Sequence, residues 1–232
     1  MRLLCFSDIH GNVAAVKRLI KDVRARRALY DAVVVAGDLT NFSVTRDQQE
    51  SQEALDAILQ LLTAEFSNVM YVPGNRDYLG RGKKRLSLTH YKGMMIEEGK
   101  KYYLGPRLPI TTTPELSDKN TILIQHSNVV YEGGFKRRSV VCKDALLHIV
   151  GHTHTGIVSG NYLNTGFLYR DDSNGAEPMM GGYFEVEITN RAVTYTFFPL
   201  GPIKRRDLKC EGFKGSMYSP HGYAFPVKLA VK

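Results

Sequence analysis

The sequence predicts an α/β fold, on the evidence of three apolar runs separated by two amphipathic stretches. "RLLCF" near the start is a short strand-like run, "AVVVAG" at 32–37 is a continuous run rich in valine, and "VMYV" at 69–72 is a third. Strands buried on both faces of a parallel sheet read this way. After the first run, "NVAAVKRLIKDVRARRAL" sets Val13, Val16, Leu19, Ile20 and Val23 at helical spacing with basic residues on the other face. Asn12 stands where an N-cap belongs. After the second run, Leu55, Ile58, Leu59, Leu62 and Phe66 mark another amphipathic helix. Strand, helix, strand, helix, strand is two βαβ units in succession.

Beyond residue 90 the pattern turns β-rich. "GMMIEEGKKYYL" predicts a hairpin around Glu98–Gly99, and "TILIQ" (121–125) and "LLHIV" (146–150) predict further apolar strands. "YFEVEI" (183–188) and "VTYTFF" (193–198) alternate as half-buried antiparallel strands do, with "TNRA" as their turn. Residues 201–232 show no clear periodicity and are expected to form a basic C-terminal tail, packed on the domain or partly mobile.

Composition narrows the class. A chain of 232 residues that is 43% hydrophobic can bury one sizeable core but not several. No run approaches the ~18–20 apolar residues of a membrane span, and the apolar stretch before Asp8 is too short for a signal peptide. Cys5, Cys142 and Cys210 are odd in number and far apart, as expected of thiols in a reducing cytoplasm. A cytoplasmic protein without a membrane partner is therefore expected. The net charge of +8 is concentrated in two places. Residues 76–101 hold eight Lys/Arg against three Asp/Glu, and residues 201–232 hold seven against two. Such segments are either solvated surface or attract phosphate-bearing ligands.

Each conspicuous polar cluster follows an apolar run. "SDIHGN" gives Asp8 and His10, "GDLTN" gives Asp38, "GNRD" gives Asn75, "QHSN" gives His126, and "GHTH" gives His152 and His154. Ligands of open α/β sheets gather outside the carboxyl ends of the strands, so five clusters at five strand ends can meet in one crevice. Alone, each has an ordinary reading as a turn or a hydrogen-bonded loop. Together they offer oxygen and imidazole ligation with no thiolate, which suits manganese, iron or zinc. Seven ligands are too many for one tetrahedral ion and about right for two divalent ions sharing a carboxylate, ~3.5–4 Å apart, the arrangement of two-metal phosphate-ester hydrolysis.

"DIHGN", "GDLTN", "GNRD", "QHS" and "GHTH", in this order, resemble the calcineurin-like metallophosphoesterase superfamily, and most closely its Icc-like predicted phosphoesterases. The Ser/Thr phosphatase branch is not matched, because the Asp-Arg-Gly that follows its second motif is missing after Asp38. The resemblance spans residues 3 to about 170. It implies a four-layer α/β/β/α sandwich of two mixed β-sheets flanked by helices. A metallophosphoesterase domain is expected over residues 1–200, followed by the basic tail over 201–232. The resemblance also implies Asp8, His10 and His154 on one metal, Asn75, His126 and His152 on the other, Asp38 between them, and in-line attack by a bridging hydroxide. Manganese, iron, zinc and nickel are all compatible with that ligand set.

Arg76 departs from the family pattern, in which a histidine at this place contacts the phosphate and protonates the leaving group. A guanidinium stays charged and cannot be a general acid, but it can hold phosphate oxygens and stabilise transition-state charge. Asp77 is expected to orient Arg76 by an ion pair. Losing a proton relay hurts most with poor leaving groups, so a phosphodiesterase acting on activated esters or nucleotides is expected rather than a monoesterase. His90 is expected at the surface, with a substitute role as proton donor as the alternative, and His148 and His221 are expected to be structural. Arg81, Lys83, Lys84 and Arg85 follow the third motif and are expected to capture a phosphorylated small molecule or nucleotide. Tyr78, Tyr91, Tyr102 and Tyr103 either stack a base or pack in the core. Two other readings are a nuclease acting on nucleic-acid ends and a metal-bound scaffold without turnover.

Overall fold

The computed structural model describes residues 1–80, 84–127, 140–142, 144–171, 177–190, 192–210, 213–220 and 230–231. The chain begins β1 (Arg2–Phe6), α1 (Val13–Ala25), β2 (Ala32–Ala36), α2 (Phe42–Thr45), α3 (Gln48–Glu65) and β3 (Val69–Val72). A 3-10 turn at Asn75–Asp77 leads to β4 (Tyr78–Leu79) and β5 (Leu86–Ser87), then β6 (Lys101–Leu104), β7 (Leu108–Thr111) and β8 (Ile122–Ile124). β9 (Val140–Val141), β10 (Leu147–Val150), β11 (Gly156–Ser159), β12 (Tyr162–Thr165), β13 (Tyr169–Arg170) and β14 (Met179–Met180) follow. The last strands are β15 (Gly182–Thr189), β16 (Ala192–Pro199), β17 (Lys204–Cys210), β18 (Phe213–Ser219) and β19 (Ala230–Val231).

Two mixed sheets carry the fold, one of five strands in the order β16-β15-β1-β2-β3 and one of eight in the order β17-β18-β11-β12-β10-β8-β7-β6. Alternation along β1 shows how they pack. Leu3 and Cys5 face the second sheet with Ala32, Val34, Ile122, Ile124, Leu147 and Ile149. Leu4 and Phe6 face the other way, against Val16, Leu19 and Val23 of α1 and Leu55, Ile58 and Leu62 of α3. Both faces of the parallel β1-β2-β3 core are covered, which is why these runs are apolar throughout. Asn12 caps α1 by accepting from the Ala15 amide at 2.8 Å. Helices α1 and α3 cover the outer face of the first sheet, and among the described residues no α-helix follows Glu65. Beside β10 of the second sheet, the Cys142 amide donates to His148 Nδ1 at 3.3 Å, and Asn161 Nδ2 donates to the Cys142 and Ala145 carbonyls at 2.9 and 2.7 Å.

The expected hairpin at Glu98–Gly99 lies elsewhere. β6 pairs antiparallel with β7 around Gly105, whose φ of 65° supplies the left-handed turn. Residues 94–96 are drawn instead to the free edge of β3, where Tyr71 N donates to Met94 O and Ile96 N to Tyr71 O. The segment expected to be a tail contains β17 and β18, which join the eight-stranded sheet through β11. Cys5 and Cys142 are free thiols, while the Cys210 side chain and His221 lie outside the described residues. Among the described residues no helix is long and apolar enough to cross a membrane.

Candidate metal centre

Parallel strands deliver the polar clusters to one end of the two sheets. Asp8 and Asp38 lie two residues beyond β1 and β2, Asn75 three beyond β3, and His126 and His152 two beyond β8 and β10. The loops are zipped together by backbone bonds, with the Asp8 amide donating to Gly37 O at 2.9 Å and the Ile9 and His10 amides to Asp38 O at 2.8 and 3.0 Å. Two glycines make the closeness possible. A Cβ at Gly37 would overlap the His126 ring, and one at Gly74 would overlap Asp38. Backbone strain concentrates here too, because Asp8, His10, Asp38, His152 and His154 all have φ between 52° and 74°. L-residues adopt that region at a cost, and such clusters mark functional sites.

The side chains form two groups, Asp8–His10–His154 and Asp38–His126–His152, each with its possible ligand atoms within 4.8 Å of one another. In the first, Asp8 Oδ1 lies 3.2 Å from His154 Nε2 and 3.8 Å from His10 Nε2. In the second, Asp38 Oδ2 lies 3.3 Å from His126 Nε2, and Asn75 Oδ1 is 3.0 Å from the same nitrogen. The outer ring nitrogens are tied down. His126 Nδ1 donates to Ala36 O at 2.8 Å and His10 Nδ1 to Asn41 Oδ1 at 3.2 Å. That tautomer turns the Nε2 lone pairs inward.

This arrangement fits divalent cations. Asp8 Oδ1 is buried without a hydrogen-bond partner, although a buried unpaired carboxylate oxygen is costly. His10 Nε2 and His154 Nε2 face each other at 2.9 Å, a contact that a cation between two lone pairs resolves. Burial alone would raise the Asp8 carboxyl, but His154, His126 and His10 outweigh it and hold Asp8 below the usual carboxylate range. Burial opposes a charge on His126, yet Asp38 and Asp8 push its pKa up to about 9. Burial pushes His10 and His152 down. Two buried carboxylates thus set a negative potential that either protons or metal ions answer.

Asp77 does not meet Arg76. It is buried, and it accepts from the Gly74 and Thr40 amides at 2.7 Å each, from Thr40 Oγ1 at 2.9 Å and from the Leu39 amide at 3.2 Å. Burial and then the Asp38 charge raise it to about 6 against those donors. Its four bonds clamp the second motif onto the third, which explains why it turns inward. The Arg76 amide donates to Asp38 Oδ1 at 2.7 Å, and among the described residues no carboxylate pairs with its guanidinium.

Of the basic stretch, Arg81 and Lys83 lie outside the described residues, Lys84 is exposed, and Arg85 stacks on Tyr78 with Cζ 3.3 Å from the ring centroid. His90 is half-buried. Its Nδ1 bonds the Tyr71 hydroxyl at 3.2 Å and its Nε2 is buried, which removes it as a proton donor to substrate. Tyr91 bonds Asp56 and Tyr102 packs on the inter-sheet core, whereas Tyr103 is 60% exposed.

Several supporting residues escaped the sequence reading. Ser7 Oγ donates to Asp8 Oδ2 and accepts from Thr165 Oγ1 at 2.6 Å. The His152 amide adds a bond to the same Asp8 oxygen at 2.9 Å. Asn164 Nδ2 holds Gly151 O at 3.1 Å and Thr153 Oγ1 at 2.8 Å, which shapes the loop carrying His152 and His154. For Asn164 and Thr165 the signal is polarity inside a buried strand, "YLNT", and Ser7 opens the "SDIHGN" cluster.

No curated protein matches the chain. Among solved structures it is similar to a conserved uncharacterized protein, a predicted phosphoesterase, from Streptococcus pneumoniae TIGR4 (17% identity, 85% of this chain and 88% of that one, TM-score 0.43). It is also similar to TT1561 of Thermus thermophilus (13%, 84% and 98%, TM-score 0.47) and to Yfce, a phosphoesterase from E. coli (15%, 84% and 98%, TM-score 0.41). The family model described as calcineurin-like phosphoesterase matches residues 1–156, and the chain belongs to that family.

Proposed function

We propose that the protein is a dinuclear-metal phosphodiesterase that acts on activated phosphate esters or nucleotides. The observation that carries this reading is the pair of three-residue groups built around the buried Asp8 and Asp38, with Asp8 Oδ1 left unpartnered inside one of them. Asp8, His10 and His154 would hold one ion, and Asn75, His126 and His152 the other, with Asp38 reaching both. When bound, the ions supply Lewis-acid activation of the phosphate ester and of the attacking water.

The chain's own groups do the rest. Asp77 and the Arg76 amide fix the third motif and the Asp38 carboxylate. The Arg76 guanidinium, which cannot give up a proton, stabilises the charge that grows on the phosphoryl oxygens. With His90 turned inward, no described imidazole outside the two groups is placed to protonate a departing alkoxide. Esters whose leaving groups depart as stable anions are therefore favoured.

Hydrolysis of bis-p-nitrophenyl phosphate and of p-nitrophenyl phosphate with Mn²⁺, with Asp38→Ala as control, tests this reading. Diester turnover that vanishes in the control, with little monoester turnover, is expected. Faster monoester turnover would overturn the diester preference. Metal binding without any turnover would favour a scaffold.

A further inference from the structure

A cavity of about 430 Å³ opens beside His126 of the second group. Roughly 300–1,000 Å³ is the range in which proteins bury small organic ligands. Its wall is apolar where Pro73, Met95 and Ile96 contribute, and its charged lining includes Arg85, Glu97 and Glu98. Glu97 is tied to Lys100, and among the described residues no cation pairs with Glu98. Arg85 is stacked on Tyr78, itself a lining residue. A guanidinium held on a phenol ring keeps its second face for another flat group.

A bare phosphate can meet Arg85 in this lining, but it also meets Glu97 and Glu98. The carboxylates repel it, and the aliphatic wall offers it no hydrogen bond. A flat ring system with N–H or O–H groups matches each part, since its face covers the wall or the Arg85 plane and its donors reach Glu98. We propose that the cavity is the subsite for the organic group of the phosphodiester, a nucleobase with its sugar being the class it fits. This rests on the phosphodiesterase reading, to which it adds where the substituent lies and which residues select it.

Calorimetric titration of the full chain with Mn²⁺ present, using AMP and inorganic phosphate as separate ligands, tests it. AMP is expected to bind at least about tenfold tighter than phosphate, from the buried apolar area and one charge-assisted hydrogen bond. That ratio should fall about tenfold in Glu98→Ala, which removes the acceptor, and in Thr112→Phe, which fills a neighbouring part of the lining. Equal affinities in the wild type, or a ratio that both variants leave unchanged, would overturn the subsite. Bis-p-nitrophenyl phosphate turnover, measured alongside, separates the two readings. Turnover without an AMP preference removes the subsite alone, while an AMP preference without turnover keeps the nucleoside cavity and removes the phosphodiesterase. Neither binding nor turnover overturns both.

Discussion

At the scale of single residues, Asp8 shows how one side chain is made to present one oxygen. Its Oδ2 is saturated by Ser7 Oγ and the His152 amide, and Ser7 is itself held by Thr165. Its Oδ1 is left bare toward His10 and His154. Ser7→Ala removes one of the two donors to Oδ2 without adding bulk, so Asp8 gains rotational freedom and is held by the His152 amide alone. Groups that orient ligands typically contribute ~10–100-fold to metal affinity. Mn²⁺ affinity by titration calorimetry should fall within that range, and more than any change in melting temperature implies. A variant that binds Mn²⁺ as the wild type does would show Ser7 to be ordinary core polarity. His148 makes a separate residue-level case. It is buried on β10, accepts from the Cys142 amide at 3.3 Å and bonds Gln125 Oε1 at 3.2 Å, a pattern that fixes the neutral ring. Burial pushes its pKa down to about 4. A lowered histidine stabilises the fold at pH above the ordinary value near 6.5, and that contribution is lost as pH falls toward 4, because the unfolded chain takes up the proton first. The full shift corresponds to roughly 3 kcal/mol. Urea unfolding at pH 7 and pH 4 should therefore show a smaller loss of stability in His148→Gln than in the wild type, and equal losses would refute the assignment.

At the scale of elements, what could be read from the sequence followed periodicity. α1 and α3 were legible because each buries one stripe, and β1 to β3 because both their faces are covered. Asn12 was legible as a cap because its side chain satisfies a bare amide of the first turn. Asn12→Ala should cost about 1 kcal/mol, seen as a fall of roughly 2–4 °C in melting temperature for a chain of this size. No shift would mean that the packing of α1 on β1 and α3 holds its first turn unaided. The hairpin at Glu98–Gly99 was misplaced because sequence cannot show that the edge of β3 competes for Met94–Ile96. Glu98–Gly99 do turn, but among the described residues no hairpin partner strand precedes them. The Gly99 amide is taken by Thr113 Oγ1 at 2.6 Å, a contact between distant parts of the chain. β17 and β18 were hidden for a related reason. As an edge hairpin, β17 need not alternate, since "KRRDLKC" is exposed over residues 204–207. The site was easier to read than these strands. Seven ligands at five strand ends form a local signal, whereas the inward turn of Asp77 depends on amides nearly forty residues away.

At the scale of the whole molecule, the net charge of +8 is displayed unevenly. Lys84 and Arg85 lie near the cavity beside His126. Lys204, Arg205 and Arg206 line the exposed edge strand β17, where basic side chains also bar edge-to-edge pairing. The register connects that edge with the metal centre, since Arg205 lies opposite Tyr218 and Tyr218 opposite Gly156, two residues beyond His154. With neighbouring strands ~4.8 Å apart, the edge backbone runs about 10 Å from β11. A small nucleotide ester is expected to meet one basic region, whereas a nucleic-acid strand has the length to engage both. Salt separates these cases. Counterion release gives a slope of about −0.7 in log affinity per log salt for each single-strand phosphate neutralised. KM for a nucleoside p-nitrophenyl ester should rise several-fold between 50 and 500 mM NaCl, a slope near one contact, as screening contracts the Debye length. A flat response would remove the basic loop from substrate capture. A short oligonucleotide should show no steeper slope if the substrate is a small ester. A slope of three contacts or more would instead extend the binding surface along β17 and make a nucleic-acid end the better description of the substrate.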